Sequence, residues 1–155
     1  MSRTRLIAVD GVNGRELMTA AGRLARKVNG IKGVSRWDAS GLFEQLLVVS
    51  KDDLDPRTLL LLYAADLAFR LRWEIAPALA EGQHVVAAPY VDTAVAFGRA
   101  SGLPLKWLTN LFRFARKPSE RHVVKGKPGK RAMDGFVEFG ARHSRSGRGG
   151  RVRIR

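Results

Sequence analysis

The chain has 155 residues, 45% of them hydrophobic, no cysteine and three scattered histidines, which is enough for one ordinary core, excludes disulfides and thiolate metal sites, and argues against a histidine metal centre. Its formal net charge of +14 is unevenly placed, with 13 Lys/Arg against 11 Asp/Glu in residues 1–105 and 15 against 3 in residues 106–155. A nearly neutral domain followed by a polycationic tail is expected, divided as 1–117 and 118–155.

Leu6 to Val9 is a short apolar run that ends in a glycine turn, as a buried strand of a parallel sheet does. From Arg15 onward Leu17, Ala21, Leu24 and Val28 fall at helical spacing, and Asn29-Gly30 is a stop. Residues 31–41, through Trp37-Asp-Ala-Ser-Gly41, read as a loop, and Leu42 to Val49 as a helix. Asp55 before Pro56 is an N-cap with proline in the first turn. It opens a long apolar helix to about Trp73, with a last segment opened or kinked by Pro77 and ended by Gly82.

His84 to Ala88 reads as a second buried strand ended by Pro89, Asp92 to Ala100 as a helix, and Leu105 to Phe114 as another. Beyond Arg116 the pattern dissolves. Phe136-Val-Glu-Phe139 has strand character, while Ser144 to Arg155 has the arginine-glycine composition of a disordered tail. No apolar run reaches membrane-spanning length, since Asp66 and Arg70 interrupt the region around Leu59 to Ala65. A cytoplasmic protein without membrane contact is expected.

The strand, glycine turn and helix around residues 6–19 follow the order of a phosphate-binding loop, whose pattern is Gly-x-x-x-x-Gly-Lys-[Ser/Thr]. Aligned on Gly11, the candidate loop is Gly11, Val12, Asn13, Gly14, Arg15, Glu16, Leu17 and Met18. Glu16 stands for the second glycine, Leu17 for the lysine that reaches the outer phosphates, and Met18 for the hydroxyl that holds Mg²⁺. Glu16 caps the helix electrostatically or repels a phosphate there. Like charges about 4 Å apart repel by roughly 4 kcal/mol at an effective dielectric of about 20, nearly a thousandfold in affinity.

Four segments in order resemble the thymidylate kinase family of P-loop nucleoside monophosphate kinases. They are the loop just described, Leu60-Leu-Leu-Tyr-Ala-Ala-Asp66, Ile75-Ala-Pro-Ala-Leu-Ala-Glu-Gly82 leading into Val85-Val-Ala-Ala-Pro-Tyr90, and Val91-Asp-Thr-Ala-Val-Ala-Phe-Gly98. The resemblance implies an α/β fold, a three-layer P-loop kinase-like core with a parallel sheet. It also implies a core incomplete at the C-terminus, because Ser119-Glu-Arg-His-Val-Val124 loses the family's strand motif and the lid and closing helices have no counterpart.

The resemblance also locates the substrate side, and there too the family's cations are absent. Leu67 stands for an arginine after Ala-Asp, Ala88-Pro89 for Asp-Arg before Tyr90, and Phe97-Gly98 for Tyr-Gln. Residual nucleotide-site positions are Asp10, Arg36, Asp66, Tyr90, Asp92, Thr93 and Phe97, each with a plain reading as a turn, core or helix-packing residue. Phosphoryl transfer rests on positioning and charge neutralisation, so the expectation is a non-catalytic, thymidylate-kinase-like protein with no intact catalytic residue, no metal and no cofactor.

Two alternatives stand beside it. The first is an active divergent dTMP kinase using ATP and Mg²⁺, with Arg15 or another cation such as Arg3 or Arg5 replacing the lysine. The second is nucleic-acid binding through residues 118–155, whose charge gives sequence-independent, salt-sensitive contacts. The tail also reads as an inert extension or as the product of a reading-frame change near Pro118. The partner expected of a non-catalytic domain is a kinase-like chain, in a homo- or heterodimer.

Overall fold

The computed structural model describes residues 3–11, 13–49, 53–125 and 152–153. Four parallel strands, β1 (Leu6–Gly11), β2 (Ile31–Arg36), β4 (His84–Ala88) and β5 (Glu120–Val124), form a sheet in the order β2-β4-β1-β5. Asp53–Leu54 (β3) pairs antiparallel with Val152–Arg153 (β6) in a separate two-stranded ladder. The α/β class and parallel sheet are as the sequence implies.

Side chains alternate across β1 and β4, and the alternation divides the core in two. Ile7, Val9, Val86 and Ala88 meet Leu17 and Ala21 of α1 (Gly14–Lys27) on one face. Leu6, Ala8, Val85 and Ala87 meet Leu59, Leu60, Tyr63 and Leu67 of α3 (Pro56–Arg70) on the other. α4 (Ala76–Ala80), α5 (Val91–Ala100) and α6 (Leu105–Leu111) join α3 in that second layer, contributing Ala78, Ala94, Phe97 and Leu108. Buried on both faces, β1 and β4 have the continuous apolar composition of parallel strands.

Local chemistry sets most boundaries. Asp55 accepts from the amides of Arg57 and Thr58 and caps α3. Leu71–Ile75 forms a π turn in which the Ala76 amide bonds the Leu71 carbonyl, just before Pro77. The wider turn removes the clash of a proline ring with the carbonyl four residues earlier, so the helix expected to reach Trp73 leaves α geometry after Arg70. Gly98 has no room for a side chain, since a Cβ there would lie 2.4 Å from Leu108 Cδ2. α5 and α6 pack at this point.

Three expectations are corrected. Residues 31–36, read as part of a loop, form β2; their apolar positions are few because β2 is an edge strand with an irregularity between Ile31 and Gly33. The last helix ends at Leu111 rather than Phe114. The sheet also continues past the division drawn after Lys117, because Glu120–Val124 pairs with β1 from Ile7 to Gly11. This strand is exposed at Arg121, His122 and Val123 and only half-buried at Glu120 and Val124, and its first three residues are polar, so its sequence lacked the apolar run of a central strand. Phe136–Phe139 lies outside the described residues.

Candidate functional site

The strands' carboxyl ends bring Asp10 and Gly11 (β1), Arg36 and Trp37 (β2), Pro89 and Tyr90 (β4) and Val124 (β5) to one edge of the sheet. Open α/β sheets bind ligands at such an edge.

At the loop, α1 already begins at Gly14, ahead of the position that Leu17 occupies in the phosphate-loop pattern. Asn13 is its N-cap: Asn13 Oδ1 accepts from the Glu16 amide at 2.9 Å and the Asn13 carbonyl from the Leu17 amide at 2.8 Å. The second of these is the first regular bond of the helix; the first takes one of the amides, that of Glu16, that an anion would otherwise receive. Leu17 is 1% exposed in the cluster with Ile7, Val9 and Val86, and Met18 packs at the margin of that cluster. Arg15 and Glu16 are exposed, and Thr19 donates its hydroxyl to the Arg15 carbonyl. Gly14 is buried, and Val12 lies outside the described residues. Gly11 serves close approach, for a Cβ there would stand 2.9 Å from the Val124 carbonyl oxygen.

Asp10 is a buried hub. Its Oδ1 accepts from the Tyr90 amide (2.9 Å), the Thr93 amide (3.1 Å) and the Thr93 hydroxyl (2.7 Å), so it caps α5 from across the sheet. Burial raises its pKa above the ordinary carboxylate value, against the lowering effect of the Thr93 and Tyr90 hydrogen bonds. Thr93 Oγ1 in turn accepts from the Gly11 amide. Tyr90 is a core ring whose hydroxyl donates to the Arg116 carbonyl, and burial pushes its pKa up to about 12. Asp92 faces outward to an ion pair with Arg121 at 3.0 Å.

Asp66, 0% exposed, organises the loop before α2 (Leu42–Val49). It accepts from the amides of Asp38 and Ser40 and from the Ser40 hydroxyl. Asp38, in the left-handed region at φ 63°, accepts from the amides of Phe43 and Glu44 and so caps α2. Burial is the main cause raising the Asp38 pKa. Trp37 stacks on Tyr63 at a centroid distance of 4.9 Å. Leu67 and Phe97 are core residues, and Arg36 is exposed at the end of β2.

Sequence reasoning missed Arg70. It is 0% exposed, and its guanidinium donates to Ser35 Oγ (3.0 Å), the Ser35 carbonyl (2.9 Å) and the Pro89 carbonyl (2.8 Å). Arg70 thus binds the chain's own β2 and β4 termini through Nε and Nη2, while its buried Nη1 has no hydrogen-bond partner among the described residues. Ser35 passes the contact on by donating to Glu74 at 2.8 Å. The signal was present: Arg70 lies on the inward face of α3 in line with Leu59, Tyr63, Asp66 and Leu67.

Of the predicted positions, Asp10, Gly11, Tyr90 and Thr93 share one hydrogen-bonded cluster. Asp66 belongs to the loop network beside β2, Asp92 and Arg36 point outward, and Leu17 and Phe97 lie in opposite cores.

No protein-family model matches the chain. It is 29% identical over 115 residues to a probable thymidylate kinase of Pyrobaculum calidifontis, covering 72% of this chain and 59% of that protein. A thymidylate kinase of Desulfosudis oleivorans is 46% identical over 77 residues, covering 47% of this chain and 36% of that one. Among solved structures, the thymidylate kinase of Ehrlichia chaffeensis superposes with a TM-score of 0.69 at 20% identity, covering 80% of this chain and 76% of that chain. The chain spans less than two thirds of the length of these two curated relatives.

Proposed function

Because the chain belongs to the thymidylate kinase family, we propose that it is a non-catalytic member, a kinase-like domain that acts by binding a partner rather than by moving phosphate. The observation that carries this reading is the burial of Leu17 in the core at the position of the phosphate-loop lysine, beside a first turn whose Glu16 amide is already taken by Asn13 Oδ1. An anion at a helix N-terminus is held by amides with no other partner.

The residues present do not match a nucleoside triphosphate with Mg²⁺. Leu17 lies in the core where a lysine would extend toward phosphate, Met18 offers no hydroxyl, and the Thr19 hydroxyl is bonded to Arg15. The carboxylate of Glu16 adds a charge of the wrong sign in the first turn. On the substrate side, Arg70 is buried with its Nη2 on main-chain carbonyls, and Asp10 is bonded to the start of α5. What remains is a scaffold whose polar groups hold the fold.

The test is transfer of the γ-phosphate of ATP to dTMP by the purified full chain, followed by nucleotide separation, together with calorimetry of ATP-Mg²⁺. We expect neither turnover nor binding heat. Turnover clearly above a no-enzyme control refutes the proposal.

A further inference from the structure

We propose that the outer edge of β5, with the groove between it and α1, docks an extended acidic segment of a partner protein as an added strand. This rests on the binding role proposed above and specifies its surface.

Among the described residues the sheet ends at β5. The Val85 amide bonds the Arg5 carbonyl, so the odd residues of β1 serve β4 and the even ones face β5. The β1–β5 register pairs Ile7 with Glu120 and Gly11 with Val124, which assigns the main chain of Glu120, His122 and Val124 to β1. The two-residue period then turns the amides and carbonyls of Arg121 and Val123 outward. The Val123 side chain is 74% exposed. An open edge of this kind is a template for a further strand.

Beside the edge lies a groove of about 280 Å³ with Val9, Ala20, Leu24 and Val124 as its apolar wall and Arg23 and Lys27 exposed along α1. His122 completes the rim. The nearby carboxylate of Glu120 is paired with Arg5 and His122, which hold its pKa below the usual range. The rim is therefore basic and the floor apolar, which selects a chain with acidic and branched apolar side chains.

Two other occupants fit less well. Residues 126–151 of this chain carry seven Lys/Arg against two acidic residues and share the sign of the rim. Single-stranded nucleic acid binds through aromatic platforms, and the groove wall has none among its lining side chains apart from the His122 ring.

The experiment uses the full-length chain and fluorescence anisotropy of a labelled peptide, Glu-Val-Asp-Val-Glu-Ile-Asp, at low salt. Binding is expected, with a loss of at least tenfold in Val123→Pro, which removes an outward amide. A similar loss is expected in the double variant Arg23→Glu, Lys27→Glu, with circular dichroism unchanged in both. A scrambled-charge peptide with Lys replacing Glu and Asp should not bind. Absence of peptide binding, or wild-type affinity in both variants, overturns the proposal. Displacement of the peptide by an oligothymidylate that binds more tightly and depends on Arg23 and Lys27 also overturns it, in favour of nucleic acid. The dTMP assay reports separately: turnover would refute the non-catalytic reading whatever the peptide does.

Discussion

Replacing Leu17 with lysine restores the residue a phosphate loop requires, and the structure predicts that it damages the fold without restoring the site. Leu17 sits in the cluster of Ile7, Val9, Ala21, Val86 and Ala88 at 1% exposure. Burying a leucine side chain contributes about 1.5–3 kcal/mol, and truncating one in a core costs about 2–5 kcal/mol once the cavity is included. Leu17→Ala should therefore lose about 2–5 kcal/mol. Leu17→Lys keeps part of the aliphatic stem but must bring an ammonium out of the core or bury it, which places its loss in the same range. For a chain of this length, each kcal/mol moves the melting temperature by about 2–4 °C, so a drop on the order of 10 °C is expected. Denaturant melts followed by circular dichroism, with and without 5 mM ATP-Mg²⁺ as an order-of-magnitude saturating concentration, are the assay. Undiminished stability in Leu17→Lys, or a nucleotide-dependent rise in its midpoint, would refute the placement of Leu17 and with it the non-catalytic reading proposed above.

Asp10→Asn keeps an acceptor for Tyr90 and Thr93 and removes a buried charge. Because the folded pKa of Asp10 is raised, its contribution is present below its unfolded pKa and lost as pH rises through the folded value. The stability of wild type minus Asp10→Asn should thus decline from pH 4 toward pH 7 in parallel melts, and a rise over that interval would contradict the burial argument. Asp66→Ala leaves the amides of Asp38 and Ser40 without their acceptor and should cost about 2–4 kcal/mol, with a red shift of Trp37 emission as its stack on Tyr63 loosens. Gly11→Ala sets a Cβ against the Val124 carbonyl and should cost about 1–3 kcal/mol. Amide exchange should then rise first at residues 120–124.

The outline of the fold was legible because it depends on local pattern. The runs Leu6 to Val9 and His84 to Ala88 read as strands buried on both faces, the composition of a parallel sheet, and Asp55-Pro56 marks a helix start by its own hydrogen bonds. β2 and β5 were not legible, because edge strands carry few apolar residues and are defined by the neighbour they pair with. Leucine at 17 and 67 and proline at 89, where the resemblance implies cations, are read from the sequence alone and carry the proposed non-catalytic reading.

Only the tertiary structure decided what the remaining polar residues do. Asp10 reaches Thr93, a separation of 83 residues, and Arg70 reaches Ser35 and Pro89; no spacing rule predicts such contacts. Chain order fixes which strand an aspartate or arginine stands on. Packing fixes which main-chain groups lie within 3 Å of it, and a buried charge must be satisfied by those groups. The sequence by itself determined an α/β, kinase-like scaffold, and the tertiary structure determined that Asn13, Asp10, Asp66 and Arg70 bond its elements to one another.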